Sequence, residues 1–175
     1  MNATKKFLLF FLLLTLSGSL FAQSSASASA TVTANLKKGL SISNFTGDLS
    51  FGEIILTGSA QTPTNNQSSG VRFDELGHPN KNVTITFAGI NLTNNAWVTA
   101  NGGTNATLAF TPGVDHTGNS STYVTGTAVT SGNSIPLVNT TGDGRLYLWL
   151  GGSLAIGASQ PHGDYTGSFT MNVAY

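Results

Sequence analysis

Three histidines and three aspartates in turn-like stretches are the residues of this 175-residue chain that could support metal or hydrolytic chemistry. They are His78, His116, His162, Asp115, Asp143 and Asp164. A zinc site usually takes two ligands at a short spacing such as HExxH or CxxC, because ligands on one element fix the geometry cheaply. No such spacing occurs, and the chain has no cysteine. A metal site of His116, His162 and Asp164 would require three separate loops to converge. We therefore predict that these residues are ordinary turn residues and that the protein binds neither a metal nor a cofactor.

Hydrolytic chemistry has no local motif either. A serine nucleophile of the elbow type sits in GxSxG, and Gly151, Gly152 and Ser153 approach this motif but lack the later glycine. Paired carboxylates for glycoside hydrolysis could be assembled from the three aspartates, but each has a simpler role as a turn former. We therefore predict that the protein is not an enzyme. A hydrolase is kept as a third hypothesis, with no preferred residues.

Aromatic side chains supply a different candidate site. In the run RLYLWL, residues 145–150, the three leucines share one parity, while Tyr147 and Trp149 share the other. Apolar bulk on both faces predicts a central strand that is covered on both sides. The alternative is that Tyr147 and Trp149 point outward, toward a protein partner or a sugar, since aromatic residues dominate interfaces as well as cores.

The last stretch, HGDYTGSFTMNVAY, alternates along most of its length. One parity contains Tyr165, Gly167, Phe169, Met171, Val173 and Tyr175, and the other is mostly Ser, Thr and Asn. This period of two predicts a strand over residues 166–175 with one buried face. Because an edge strand can pair with another chain, Phe169, Met171, Val173 and Tyr175 are candidate interaction residues.

The run SSASASATVTANL, residues 24–36, shows the same period with smaller side chains. Its apolar parity contains Ala26, Ala28, Ala30, Val32, Ala34 and Leu36. A Ser/Ala-rich run is also typical of a flexible linker. The strict alternation favours a strand from about Ala28 onward.

The N-terminal segment has the organisation of a secretory signal. Lys5 and Lys6 precede an apolar run over residues 7–14, and small residues lead to a cleavage site after Ala22. The run is shorter than the roughly 20 residues that a membrane span requires, and no later stretch is long enough. We predict a signal peptide over 1–22 and one domain over 23–175 without a membrane span. The expected location is the periplasm, the outer surface or the extracellular space.

Charge is scarce, at 8% of residues. Without Lys5 and Lys6, five basic residues remain against seven acidic ones. Nucleic acid is therefore not an expected partner, because it requires several basic side chains on one face. Low charge also removes a usual defence against edge-to-edge strand association. Either the sheet edges are covered, or association is their purpose.

About ten short apolar runs follow one another between turn-forming residues. The predicted strands cover 40–43, 48–56, 70–73, 81–87, 95–100, 106–110, 122–126, 134–138, 145–150 and 153–157, and residues 57–69 and 111–121 are predicted loops. Many short strands at such spacing in one chain are typical of an antiparallel sandwich. We predict an all-β fold, an antiparallel Ig-like or pilin-like β-sandwich.

Three blocks of the chain carry a family resemblance. DLSFGEI at 48–54, GHPNKNVTITF at 77–87 and the stretch from 148 to 175 resemble the bacterial secreted domain family of unknown function numbered four-four-zero-two. The most specific block combines Gly-Gly-x-Leu, Gly-x-Tyr-x-Gly-x-Phe and a terminal Tyr. The resemblance covers nearly all of the predicted mature chain, least between 91 and 134, and implies no activity.

At the level of fold, the predicted architecture also resembles the pilin-like sandwich domains of bacterial surface fibres, in which alternating terminal strands are exchanged between subunits. This resemblance implies a non-enzymatic secreted or cell-surface subunit, structural or adhesive in a fimbria-like manner. Its partners would be copies of itself or other fibre subunits, paired through residues 28–36 or 166–175. The alternative is a secreted carbohydrate- or protein-binding module that uses Tyr147 and Trp149.

Overall fold

The computed structural model describes residues 27–175, so the predicted signal peptide lies outside the described residues. The chain divides into two units between Asn35 and Leu36. Within the first unit, residues 27–35 contain no helix or strand and are all exposed.

The second unit contains eleven strands, one 3₁₀ turn and one short α-helix. In chain order these are β1 Ser41–Asn44, β2 Thr64–Asn65, the 3₁₀ turn Gln67–Ser69, β3 Val71–Gly77, β4 Asn82–Phe87, β5 Ile90–Thr93, α1 Asn95–Asn101, β6 Thr107–His116, β7 Thr127–Ala128, β8 Ser134–Pro136, β9 Val138–Thr140, β10 Asp143–Ala155 and β11 Met171–Ala174.

The strands form two antiparallel sheets. The large sheet has the order β1-β3-β10-β6-β5, with β2 and β9 also paired to β10 and β7 to β6. The small sheet has the order β11-β4-β8. The apolar faces of both sheets contribute to a single core, which confirms the predicted all-β sandwich.

The core follows from the period of two along the central strands. Leu146, Leu148 and Leu150 of β10 are buried on the core side of the large sheet. Val83 and Ile85 of β4 are the buried residues that the small sheet contributes to the same core. A fully buried side chain of this kind contributes about 1.5–3 kcal/mol relative to an exposed one. β10 is the longest strand, with β3 and β2 paired along one side and β9 and β6 along the other over most of its length.

Several predicted strand boundaries were wrong. The runs 145–150 and 153–157 belong to one strand, and β6 continues through His116 into the predicted loop 111–121. The predicted strands 48–56 and 122–126 contain no strand, while the predicted loop 57–69 contains β2 and the 3₁₀ turn. Alternation identifies a surface that can be half-buried, but a strand also requires a neighbouring edge to pair with.

The predicted strand at 95–100 is helix α1. The helix ends where the Gly102 N–H donates to the Val98 carbonyl at 2.8 Å, with Gly102 at φ 79°. Glycine at a helix C-terminus adopts positive φ without steric cost. No helix among residues 27–175 is long and apolar enough to cross a membrane.

The predicted strand from Ala28 to Leu36 was also wrong within this chain. Val32 is 92% exposed, and no residue from 27 to 36 pairs with a strand. Ala and Ser side chains bury little apolar area, which does not offset the conformational entropy of ordering the backbone.

Candidate functional site

Tyr147 and Trp149 lie on the outer face of the large sheet, opposite the leucines of β10. In the register of the sheet, Trp149 stands between Arg72 on β3 and Asp115 on β6. Trp149 is buried, at 8% exposure, and Tyr147 is half-buried. The central strand is therefore covered on both faces.

Arg72 covers the aromatic rings from one side. Its guanidinium lies 3.7 Å from the centroid of the Phe45 ring and 5.3 Å from that of Tyr147. It also donates to both carboxylate oxygens of Asp74, at 2.6 and 3.1 Å, and to the Ser121 carbonyl at 2.9 Å. Bidentate pairing holds the planar cation in a fixed orientation, so it stacks as a permanent neighbour of these rings.

The loop after β6 covers the other side of Trp149. Its indole Nε1 donates to Thr117 Oγ1 at 3.0 Å, and the Tyr123 ring meets the indole edge to face at 5.4 Å. The Tyr123 hydroxyl donates to the Asp115 carboxylate, and this hydrogen bond, together with burial, raises the pKa of Tyr123. Trp149 thus has no open face on which a sugar could stack, and the most exposed ring of this cluster is Phe45, at 63%.

The three histidines occupy separate places. His78 Nδ1 accepts from the Lys38 N–H at 3.4 Å, and His116 Nδ1 accepts from the Gly118 N–H at 3.3 Å. Burial lowers the pKa of His116. The His162 ring packs edge to face on Trp97, with a centroid distance of 5.0 Å.

The candidate aspartates are also engaged separately. Asp115 accepts from Tyr123, whereas Asp143 pairs with Lys38 and lies 3.7 Å from Arg145. The hydrogen bond from Lys38 lowers the pKa of Asp143. Within residues 27–175, no group of three or more His, Asp or Glu residues could hold a metal ion. Asp143 has the contacts of a surface ion pair. Asp115 and His116 are not turn residues as predicted, because they are the last two residues of β6 and pair with Trp149 and Leu148 of β10.

The C-terminal strand is shorter than predicted. β11, Met171–Ala174, pairs with β4 inside the fold, so its ladder on that side is already formed. Met171 is buried, and Phe169 and Val173 pack partly against the core. Residues 162–170 do not form a continuous strand, and only Thr166 makes an isolated bridge, to Thr93.

The glycines of the closing family pattern explain this interruption. Gly163 has φ 139° and lies against Trp97, which a Cβ would approach to 3.0 Å. A Cβ on Gly167 would lie 2.7 Å from Leu92 Cδ2. Between them, the Tyr165 hydroxyl donates to the Pro161 carbonyl at 2.6 Å and accepts from Gln160 Nε2 at 2.8 Å. The pattern therefore encodes a packed connection across the edge of β5.

Tyr175 connects the end of β11 to the residues that precede β1. Its hydroxyl accepts from the His78 N–H at 2.6 Å and donates to the Lys38 carbonyl at 2.9 Å. The ring is 48% exposed. Tyr175 is thus a positioning residue, which fixes the place where the chain enters the sandwich.

A groove of about 440 Å³ opens onto the core face of the large sheet. Its floor consists of Val71, Ile90, Leu92, Phe110 and Leu150, and its two walls are residues 47–51 and 165–169. Phe51 and Phe169, one from each wall, meet the ring of Phe110 edge to face at 6.0 and 6.2 Å. A cavity of about 350 Å³ adjoins it and shares Leu49, Phe51, Leu92 and Tyr165. Volumes of this size are typical of binding sites.

The groove was not among the sites predicted from the sequence. Its walls come from segments that are more than a hundred residues apart in the chain. The signal that could have identified one wall is the run DLSFGEIIL, whose strand-like alternation has no β-strand in the fold.

A family model matches most of the described chain. It is described as Domain of unknown function (DUF4402), and the match covers residues 40–175, from Leu40 through β11. No curated protein and no solved structure matches the chain. The matched range contains both sheets and both walls of the groove. The protein therefore belongs to the DUF4402 family of domains of unknown function.

Proposed function

We propose that this protein is a non-enzymatic secreted or cell-surface subunit, structural or adhesive in a fimbria-like manner, that associates by adding a strand to a neighbouring copy. The observation that supports this most directly is the N-terminal arm, defined as residues 27–36. The arm has strict alternation, yet it has no strand partner and is fully exposed. A segment with strand periodicity and no partner is suited to pair with the sheet of another molecule.

The sandwich offers edges for such pairing. The large sheet ends at β1 and β5, and the small sheet ends at β11 and β8. The outer side of β5 already carries the bridge from Thr166 to Thr93, so among the described residues β1, β8 and β11 are the edges with strand pairing on one side only. An edge strand presents unpaired N–H and C=O groups, and Lys or inward charges usually protect it. None of these four strands contains a Lys, Arg, Asp or Glu residue. The edges therefore carry no charge that would oppose strand addition.

Secretion is proposed from the sequence of residues 1–22, in which two lysines precede an apolar run. The non-enzymatic role is proposed because Asp115 accepts a hydrogen bond from Tyr123, Asp143 is held in an ion pair with Lys38, and the His162 ring packs on Trp97, at three separate places. In this role, the Ser, Thr and Asn side chains of the surface would keep the protein hydrated and contact neighbouring molecules.

The test is the oligomeric state of the mature protein, residues 23–175, compared with a truncation that begins at Lys37. The folded unit begins at Leu36, so the truncated protein should keep its fold, as circular dichroism would verify. We expect concentration-dependent association of the mature protein in sedimentation experiments and a monomer after truncation. Equal association of both proteins would contradict the proposal.

A matched pair of arm variants sharpens this test. Val32→Asp places a charge on the apolar parity of the arm, and Thr31→Asp places the same charge on the polar parity. If the arm adds as a strand, Val32→Asp should abolish association, whereas Thr31→Asp should weaken it by a few-fold at most. Equal effects would indicate an electrostatic contact without strand geometry.

A secreted binding module is the second candidate function, favoured by the exposed Phe45 ring over Arg72 and the half-buried Tyr147. If this cluster binds sugars, a glycan array should retain the protein, and Phe45→Ala should abolish retention without loss of the fold. Trp149→Ala should instead destabilise the fold, because Trp149 is packed. An array that retains nothing would eliminate this candidate.

A further inference from the structure

Residues 121–126, which we call the strap, cross the outer face of the large sheet between β6 and β7. Both ends of the strap are fixed to the sheet. Before it, the Tyr147 N–H donates to the Gly118 carbonyl at 2.9 Å. After it, Thr127 pairs with His116 of β6. Compact surface loops with adjacent ends are frequently functional.

The strap itself has few bonds to the sheet. Among the described residues, it makes no hydrogen bond between backbone groups. Arg72 donates to the Ser121 carbonyl at 2.9 Å, and the Tyr123 hydroxyl donates to the carboxylate of Asp115. Val124 is 83% exposed, so its side chain adds little burial. Segments with few buried apolar contacts and few main-chain bonds open at low free-energy cost.

Tyr123 is the main anchor of the strap. Its ring meets the indole of Trp149 edge to face at 5.4 Å, while its hydroxyl bonds Asp115. The chain then passes directly over this contact at Gly126. A Cβ there would lie 2.6 Å from Asp115 Oδ2 and 2.7 Å from the Tyr123 hydroxyl oxygen. Glycine permits this close approach of the backbone, so the closed strap depends on both residues.

The strap occupies three groups of the sheet that a sugar could use. Tyr123 takes the indole ring of Trp149 and the carboxylate of Asp115, and the Ser121 carbonyl takes an N–H of Arg72. Trp149 stands between the other two in the sheet register, so the three groups converge. A pyranose offers an apolar C–H face for an aromatic ring, and hydroxyl groups that donate to a carboxylate and accept from a guanidinium. We infer that the strap is a gate over a carbohydrate site, which Tyr123 occupies when the gate is closed.

This inference rests on the second candidate function, the secreted binding module, and adds both a site and its control. In the closed form Trp149 is only 8% exposed and has no room for a ligand. A ligand that binds only the open form shifts the protein toward that form. Its apparent affinity is reduced by the fraction of molecules that are open. Changes that release Tyr123 should therefore strengthen sugar binding.

Acrylamide quenching of tryptophan fluorescence tests the gate. The chain has two tryptophans, so mature protein with Trp97→Phe reports on Trp149 alone. Tyr123→Ala removes the anchor, and Gly126→Ala displaces it with a Cβ. Each should raise the quenching constant of Trp149 at least three-fold, whereas Val124→Ala, an exposed position of the same strap, should leave it unchanged. The indole N–H signals in NMR spectra give the same comparison in proteins that keep both tryptophans.

An array of immobilised neutral oligosaccharides tests the site. Tyr123→Ala and Gly126→Ala should each be retained at least five-fold more strongly than the unmodified mature protein, and Val124→Ala should be retained equally to it. Adding Asp115→Ala to Tyr123→Ala should remove the gain, because the sugar then lacks its acceptor. Melting temperatures verify that each variant is folded. A gain that survives Asp115→Ala would mean that an uncovered indole adheres without a specific site, which overturns the inference.

The remaining outcomes separate this inference from the binding module itself. Unchanged quenching in both Tyr123→Ala and Gly126→Ala would mean that the strap is not a gate. Increased quenching without increased retention would mean that no sugar site lies beneath it. If the unmodified protein is retained and Phe45→Ala abolishes retention, while the opened variants gain nothing, the binding module stands and this inference is wrong. If the array retains none of these proteins, both are wrong.

Discussion

Two segments with similar sequence patterns have different fates in this sandwich. Strand β4 is the centre of the small sheet, with β11 on one side and β8 on the other. Residues 48–56 alternate apolar and polar side chains over part of their length, yet they form no strand and make one wall of the groove. Apolar side chains at Leu49, Phe51 and Ile54 are only partly buried. A strand-like sequence therefore becomes a strand only where the fold supplies edges for it.

The difference between β4 and residues 48–56 also suggests that different parts of the sandwich serve stability and association. The Val83 and Ile85 side chains of β4 are fully buried in the core, whereas Leu49, Phe51 and Ile54 of the 48–56 segment are only partly buried and Ile55 is exposed. Regions with few buried apolar contacts and few main-chain bonds open at low free-energy cost. The closed part of the sandwich should thus carry the stability of the domain, and the open part is suited to accept a partner.

The largest expected effect compares one residue type in the two segments. Ile85 on β4 is 0% exposed, and Ile55 in the other segment is 76% exposed. Ile85→Ala should lower the free energy of unfolding by about 2–5 kcal/mol, because it removes buried methyl groups and leaves a cavity. Ile55→Ala should change it by less than about 0.5 kcal/mol. Denaturant unfolding of both variants measures the difference, and similar losses would mean that 48–56 is packed as firmly as β4.

A buried carboxyl group makes the stability of the closed part depend on pH. Glu75 on β3 is 2% exposed, stands beside Ile42 and Leu146 in the sheet register, and has no hydrogen-bond partner among the described residues for either oxygen. Burial raises the pKa of Glu75 from an ordinary 4.5 to about 7. The neutral carboxyl is therefore the form that the folded core accommodates.

The sign of the pH effect follows from this raised pKa. Below pH 4.5 the group is neutral in both states, so the fold carries no ionisation cost. As pH rises from there through 7, the unfolded chain ionises more readily, and the domain should lose about 3 kcal/mol. Urea unfolding between pH 4 and 8 measures this slope, and Glu75→Gln should flatten it. A slope that survives in Glu75→Gln would assign the effect to another group.

The smallest expected effect concerns a glycine on the outer face of β10, and a second glycine serves as its matched control. The strand continues through Gly151 because residues 65–67 lie directly on its backbone, and an added Cβ would lie 2.8 Å from the Gln67 nitrogen and closer still to the Asn65 carbonyl oxygen. Gly151→Ala should therefore cost about 1–3 kcal/mol from overpacking. Gly157, with no atom within 4 Å of such a Cβ, should tolerate alanine at nearly no cost. Thermal melts compare the two, and equal costs would mean that the loop does not rest on this strand.

Parts of the fold were accessible from particular residues. The leucines of 145–150 predicted a central strand, and they are the core of β10. The run at 95–100 was misassigned because six residues of mixed type are compatible with either a strand or one helical turn. The packing of Trp97 on His162 and the glycines that follow decide for the helix.

The unusual residues of the fold also differed in how far the sequence could identify them. A signal for Glu75 was present, since Val71, Phe73, Glu75 and Gly77 share one parity of β3, with a lone acid among buried positions. The neighbours of Trp149 were not predictable, because they come from two parts of the chain far from it in sequence: Arg72 on β3, and Asp115 with Tyr123 at the end of β6 and in the loop that follows.

The period of two and the turn-forming residues between the runs predicted by themselves an antiparallel sandwich and, on the central strands β4 and β10, the side chains that face its core. Only the tertiary structure decided which runs became strands, since a ladder bond requires a second edge that sequence periodicity does not contain. For that reason the arm and residues 48–56 have the pattern of strands without the pairing, while β4, with an edge on either side, has both.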